Sequence, residues 1–232
     1  MSTTPLISVV IPVYNEAGTL ETLVGRVLAQ PYRLQVILMD DGSTDASPDI
    51  GRRLADAHPA VEFHAQPHNQ GKGAALHAGF ALARGELVVV QDADLEYDPR
   101  EFPQLLEPLL DGRADVVFGS RFLGGGPHRV LNYHHYVANR SLTGLSNLLT
   151  NLNLTDMECG YKLFRREALL RLTLRETRFG FEPEVTAQVA RAGLRVYEVP
   201  ISYSGRSYAE GKKITWRDGV RALWVIVGAR LR

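Results

Sequence analysis

The 232-residue chain lacks most of what would mark a secreted, fibrous or membrane-spanning protein. It has one cysteine, Cys159, so no intrachain disulfide can form and a reducing compartment, the cytoplasm, is expected. No apolar run approaches the roughly 20 residues that span a bilayer; the longest, residues 222–229, is far shorter. The opening Met-Ser-Thr-Thr-Pro has no basic stretch followed by an apolar one, so no signal peptide is expected. Net charge is absent too, with 26 Lys/Arg against 26 Asp/Glu. A composition that is 45% hydrophobic and 22% charged excludes a disordered chain. The cluster Arg165, Arg166, Arg171, Arg175 and Arg178 lacks interleaved stacking aromatics, so no nucleic-acid partner is expected.

The overall neutrality conceals a split. Residues 1–112 hold 7 Lys/Arg and 16 Asp/Glu, whereas residues 113–232 hold 19 and 10. A basic C-terminal half points to an anionic partner. Arginine, which suits forked phosphate contacts, makes up 22 of the 26 basic residues.

Residues 6–13 (LISVVIPV) form a continuous β-branched run, the pattern of a strand buried on both faces. Similar strands are expected at 34–39, 61–65, 87–90, 116–119, 161–164 and 196–199. Helical spacing is expected from Leu20 to Leu28, then at 45–57, 73–83 and 102–110, and on a long helix bearing Ala138, Leu142, Leu145, Leu149 and Leu152. The alternation predicts an α/β fold with a mostly parallel sheet and helices on both faces. Gly124-Gly125-Gly126-Pro127 and residues 202–213 read as loops. Residues 1–213 are expected to form one domain, followed by a helix over 214–232. That helix bears an apolar stripe of Val220, Leu223, Trp224, Val227 and Leu231, flanked by Arg217, Arg221, Arg230 and Arg232. It could lie on an anionic membrane surface or dock on its own domain.

Ligands of parallel α/β sheets bind at the carboxyl ends of strands. Three such ends are distinctive: Pro12-Val13-Tyr14-Asn15-Glu16, Asp40-Asp41-Gly42-Ser43 and Asp92-Ala93-Asp94-Leu95-Glu96. Residues 69–73 (NQGKG) lack the upstream glycine and the Ser/Thr of a P-loop, and also the third glycine of the dinucleotide fingerprint. Asp92, Asp94 and Glu96 alternate, and in extended chain they would project to one side about 7 Å apart. Three crowded carboxylates repel unless a cation lies between them, and oxygen-only ligands favour Mg²⁺ or Mn²⁺.

The ordered set Val10-Ile-Pro-Val-Tyr-Asn-Glu16, Asp40-Asp-Gly-Ser-Thr-Asp45, Asn69-Gln-Gly-Lys-Gly73, Asp92-Ala-Asp94 and Gly119-Ser-Arg121 resembles the inverting family 2 glycosyltransferases. Within them it is most similar to the polyprenyl-phosphate (dolichyl-phosphate) sugar synthases, over residues 6–213. The resemblance implies a glycosyltransferase A-type fold and a UDP- or GDP-hexose donor. Pro12, Tyr14, Glu16, Asp41, Lys72 and Lys212 would hold the donor. Asp92, Ala93 and Asp94 would meet its diphosphate through the metal, with Glu96 as a further ligand. Arg121, Arg140 and Arg206 would grip the phosphate of a polyprenyl acceptor and the donor diphosphate. A lipid phosphate is already ionised and needs no general base. A small hydroxyl acceptor would need one, and Asp156, Glu158 and Glu182 are candidates. Two further readings are a nucleotide-sugar binder without turnover and a nucleotidyltransferase.

Overall fold

The computed structural model describes residues 5–124, 129–130, 132–206 and 216–231. Strands β1 (Leu6–Val13), β2 (Arg33–Asp40), β3 (Val61–Ala65), β4 (Leu87–Val90), β5 (Val116–Ser120), β6 (Lys162–Arg165) and β7 (Val196–Pro200) form one sheet. Their order is β3-β2-β1-β4-β6-β5-β7. Every pairing is parallel except the two made by β6, which runs against both β4 and β5. The helices are α1 (Leu20–Leu28), α2 (Ser47–Ala57), α3 (Lys72–Leu82), α4 (Phe102–Leu110), α5 (Tyr133–Thr150), α6 (Arg166–Leu169), α7 (Phe181–Arg191) and α8 (Trp216–Leu231).

Continuous apolar strands follow from burial on both faces. Ile7, Val9, Ile11 and Val13 of β1 join Leu23 of α1 and Leu105 of α4 in one core. Val10 points the other way and joins Leu76 of α3 with Phe181 and Val185 of α7. β2 and β4 divide their side chains in the same manner, so helices cover both sides of the sheet.

Two helices differ from expectation. α5 begins at Tyr133, five residues before the expected stripe, where the Asn132 side chain accepts the N–H of His134. α7 has no counterpart among the helices expected from the sequence. Its Pro183 sits in the first turn, where a missing N–H breaks no helical bond. Its core face is Phe181, Val185 and Val189, spaced four apart. Three arginines of the basic cluster complete the fold: Arg165, Arg166 and Arg171 donate to the carbonyls of Leu109, Ala83 and Ala192 at helix ends.

α8 docks on its own domain, but not through its apolar stripe. Ala222 and Ile226 are buried, the latter in the core with Phe181. Val220, Leu223, Val227 and above all Trp224, 76% exposed, face outward. Arg221 pairs with Glu176 at 2.7 Å. The side chains of Arg217, Arg230, Leu231 and Arg232 lie outside the described residues, as do Gly125, Gly126 and Pro127.

α3 approaches β1 closely at Gly79, where a Cβ would fall 2.3 Å from a methyl of Val10. Gly79→Ala should therefore displace α3, which carries Lys72, and destabilise the protein by about 1–3 kcal/mol. Urea unfolding measures this; an unchanged midpoint would contradict the packing.

Candidate active site

The loops that follow β1 and β2 are stitched together by side chains. Asn15 adopts a left-handed backbone, with φ of 51°, and its carboxamide oxygen accepts the N–H of Thr44 at 2.8 Å. The N–H of Glu16 reaches Ser47 Oγ at 2.8 Å, and that of Ala17 reaches Asp45. This fixes Pro12, Tyr14 and Glu16 along one wall of a cavity. Asp41 lines it too, but its carboxylate accepts the N–H groups of Gln70 and Gly71 at 2.7 and 2.8 Å. Asp41 thus anchors the start of α3 and sets where Lys72 lies.

Lys72 stands between two carboxylates, 2.8 Å from Asp92 and 3.0 Å from Glu182. Burial pulls its ammonium toward the neutral form, yet the two negative charges outweigh this and hold it above its ordinary value. Glu182 responds oppositely: Lys72 overcomes the burial effect and lowers it.

The extended arrangement expected for Asp92, Asp94 and Glu96 does not form. β4 ends at Val90, and the chain turns at Leu95, whose φ is 63°. Asp94 Oδ1 accepts the N–H of Glu96 at 3.1 Å within this turn. Glu96 is drawn away to the Tyr203 hydroxyl at 2.6 Å and the backbone N–H of Arg206 at 2.8 Å. The Arg206 guanidinium sits among Glu16 at 3.1 Å, Asp94 at 2.9 Å and Glu96 at 3.4 Å. Among the described residues, no three His, Cys, Asp or Glu side chains form a ready cation site. Of the three expected ligands, Glu96 is the one engaged by the Tyr203 hydroxyl and the Arg206 backbone. Burial and the charges of Asp92 and Glu96 push Asp94 up to about 7, only partly offset by Arg206. Two crowded carboxylates fit a hard divalent cation that completes its shell with ligand phosphates, as Mg²⁺ commonly does.

Arg121, which also lines the cavity, forms a two-pronged pair with the fully buried Asp156 at 2.6 and 2.7 Å. Burial opposes its charge, but Asp156 holds the guanidinium well above its ordinary value. Glu198 of β7 in turn accepts the N–H groups of Thr155 and Asp156. Arg140 of α5 reaches the Thr155 carbonyl at 3.2 Å. Glu158 carries a buried Oε1 with no hydrogen-bond partner. Burial and Glu182 push its carboxyl up to about 8. Cys159 is buried and pushed up to about 12 by desolvation, which suits packing rather than nucleophilic work.

Lys72, Asp92, Asp94, Arg121, Glu158 and Arg206 line one cavity of about 1380 Å³, backed by the buried Asp156. Of the residues expected from sequence to bind donor, metal or acceptor, every one lines it except Lys212, which lies with Lys213 outside the described residues. Sequence reasoning missed Arg129, Tyr133, Tyr136 and Arg178, which also line it. Tyr133, Tyr136 and Val137 did carry a signal, an apolar extension of the α5 pattern toward its start. Arg129 follows a glycine-rich loop and gave none.

A sequence model of the family described as Glycosyl transferase family 2 matches residues 8–173. Undecaprenyl-phosphate mannosyltransferase of Micrococcus luteus is 33% identical over 241 residues, covering 96% of this chain and 97% of that relative. Polyprenol monophosphomannose synthase of Mycolicibacterium smegmatis is 33% identical over 211 residues, covering 88% and 79%. Glycosyltransferase AglD of Haloferax volcanii is 34% identical over 208 residues, 85% of this chain, which spans only 33% of that longer protein. Among solved structures, glucosyl-3-phosphoglycerate synthase from Mycobacterium tuberculosis aligns with a TM-score of 0.74 at 23% identity, covering 97% of this chain and 80% of that one. That likeness carries the fold alone.

A carboxyl raised above its usual value withdraws stability as pH climbs from about 4 toward 7, because ionisation is then forced on the folded state. A divalent cation between Asp92 and Asp94 relieves that repulsion only once both are ionised. Mn²⁺ should therefore raise the melting temperature clearly at pH 8 and little at pH 5.5, and Asp94→Asn should abolish the gain. Equal shifts at both pH values in thermal melts would contradict this electrostatic account.

Proposed function

The chain belongs to glycosyl transferase family 2 and is a glycosyltransferase, and from that premise we propose that it moves a hexose, mannose or glucose, from a UDP- or GDP-hexose to a polyprenyl phosphate with inversion. The observation that carries this reading is the continuity of the cavity. Its lining combines the carboxylate pair Asp92 and Asp94 with Lys72 and Arg206, the cations Arg121 and Arg140, and the exposed apolar residues Val130, Tyr133 and Tyr136. A nucleotide sugar, a phosphate and an isoprenoid tail each find matching chemistry within it. The two bacterial relatives that this chain spans most fully bear names that pair mannose with a polyprenyl phosphate, which agrees.

In this reading Asp92 and Asp94 hold Mg²⁺ or Mn²⁺, which when bound offsets the charge of the donor diphosphate. Arg206, placed among Glu16, Asp94 and Glu96, would offer its guanidinium to the leaving diphosphate. Arg121 is oriented through Nε and Nη2 by Asp156, which leaves Nη1 outside that pair for the acceptor phosphate. A phosphate oxygen attacks the anomeric carbon, the bond to the diphosphate breaks, and no proton need be removed. Two anions must be brought together, and the basic C-terminal half supplies the charge for it.

The deciding experiment is nucleoside diphosphate release from UDP- and GDP-sugars with Mg²⁺ or Mn²⁺, with and without short polyprenyl phosphate. Release should require the lipid phosphate. Asp94→Asn should slow it about 10²–10³-fold, and Arg140→Ala should raise the KM for lipid roughly 10-fold. Release that ignores lipid and responds to a small hydroxyl compound would move the assignment to a soluble acceptor. Pyrophosphate instead of nucleoside diphosphate would make it a nucleotidyltransferase.

The same reading places the protein peripherally on the cytoplasmic face of a membrane, with the outward stripe of α8 in the interface. No helix among the described residues is long and apolar enough to cross a membrane. Full-length protein should float with anionic liposomes, and the double variant Leu223→Ser, Trp224→Ser should not. Point variants suit this test because Ala222 and Ile226 tie the helix to the core. Equal flotation of both proteins, or of neither, would remove α8 from that role.

A further inference from the structure

Residues 156–160 contact both the Arg121 guanidinium and the Asp92 carboxylate region. Asp156 holds Arg121 on the acceptor side. Gly160 presses on the donor side, where a Cβ would fall 2.3 Å from Asp92 Oδ2. Glu158 lines the cavity within electrostatic reach of both Glu182 and Arg121. The neighbouring carboxylates each have a cation, Asp156 taking Arg121 and Glu182 taking Lys72. Lys162, the other nearby cation, donates to the carbonyls of Met157 and Cys159. Glu158 Oε1 is buried with no hydrogen-bond partner. A buried oxygen left unpaired is destabilising, and at a functional site it marks a place for a ligand group.

The chemistry of that group can be narrowed. An ionised phosphate oxygen can only accept, so it cannot satisfy an oxygen that lacks a donor, and the arginines offer it stronger contacts. An isoprenoid tail offers no hydrogen bond. What remains between the diphosphate and the attacking phosphate is the sugar being transferred, whose hydroxyls are neutral donors and acceptors. We propose that Glu158 is a specificity-determining residue whose side chain hydrogen-bonds a ring hydroxyl of the hexose in the bound donor. The proposal rests on the nucleotide-sugar reading above and adds to it the residue that distinguishes one hexose from its epimer. A carboxyl pushed up to about 8 is protonated at neutral pH, so it can donate as well as accept and does not repel the adjacent diphosphate. A site built around such a bond rejects a sugar that misplaces the hydroxyl.

The test is calorimetric binding to wild type, Glu158→Gln and Glu158→Ala, in Mn²⁺, of UDP, GDP, UDP-glucose, UDP-galactose, GDP-mannose and GDP-glucose. In wild type, one sugar nucleotide should bind more tightly than its own nucleoside diphosphate and than its epimer. Glu158→Ala should weaken that sugar nucleotide 10-fold or more while leaving the nucleoside diphosphate within 2-fold. Glu158→Gln, nearly isosteric, should keep part of the affinity and shrink the preference between epimers. Parallel loss for nucleotide and sugar nucleotide would overturn the proposal in favour of a general electrostatic or structural role. Unchanged binding with lost turnover would overturn it in favour of a base for a hydroxyl acceptor. No gain from the sugar in wild type, or no effect of either variant, would also overturn it. Because binding is read without acceptor, failure of the lipid assignment would leave this result standing, and the two failures are distinguishable.

Discussion

Negative charge crowded at one edge of the sheet governs this molecule. Glu16 after β1, Asp92, Asp94 and Glu96 after β4, and Glu182 on α7 converge on a part-buried space. Such a cluster could not persist alone. It is held by two cations from remote parts of the chain, Lys72 at the start of α3 and Arg206 beyond β7. The loops around the cavity are arranged so that these two side chains can arrive. Asp41 spends its carboxylate on the backbone of Gln70 and Gly71 to bring Lys72 in, and Glu96 accepts the N–H of Arg206 to bring in the other.

The acceptor side repeats the device in a drier setting. Arg121 is bound by Asp156, and Asp156 is placed by Glu198, so a chain of charged groups runs from β5 to β7. Breaking a buried pair of this type strands a charge. Arg121 is therefore both a structural partner and a presented cation. Rigidity there and compensation at the donor end make the cavity polar at its floor and apolar at its mouth.

Most of the sheet was legible because its strands are buried on both faces. Leu6–Val13 and Leu87–Val90 coincide with apolar runs, whereas the edge strand Val61–Ala65 carries Glu62 and His64 and is only partly buried. The strand ends with their acidic residues were legible for the same reason. The rest depended on facts that sequence spacing does not encode. The alternation of Asp92, Asp94 and Glu96 suggested one shared cation, but a left-handed Leu95 turns Glu96 toward Tyr203 instead. α7 was masked by its proline and glutamates, although Phe181, Val185 and Val189 keep helical spacing. The stripe on α8 was visible, yet which way it faced was not, because Ala222 is small and Ile226 lay off the stripe. Arg129 and Arg178 reach the cavity only through the fold.

The reversed strand β6 has a consequence for how the protein is made. β4 pairs with β1 on one side and with β6 on the other. Residue 162 follows residue 90 by roughly 70 positions, about 4–14 s of synthesis at ordinary translation rates. Over that interval a nascent sheet of β3, β2, β1 and β4 carries an open edge of unpaired backbone on the strand Leu87–Val90, whose side chains are all apolar. Such an edge is a template for pairing with other chains. The inserted strand therefore shields as well as shapes. The segment that delivers Asp156 and Glu158 to the site is also the one that closes the sheet against aggregation, so one stretch of chain both builds part of the active centre and protects the fold.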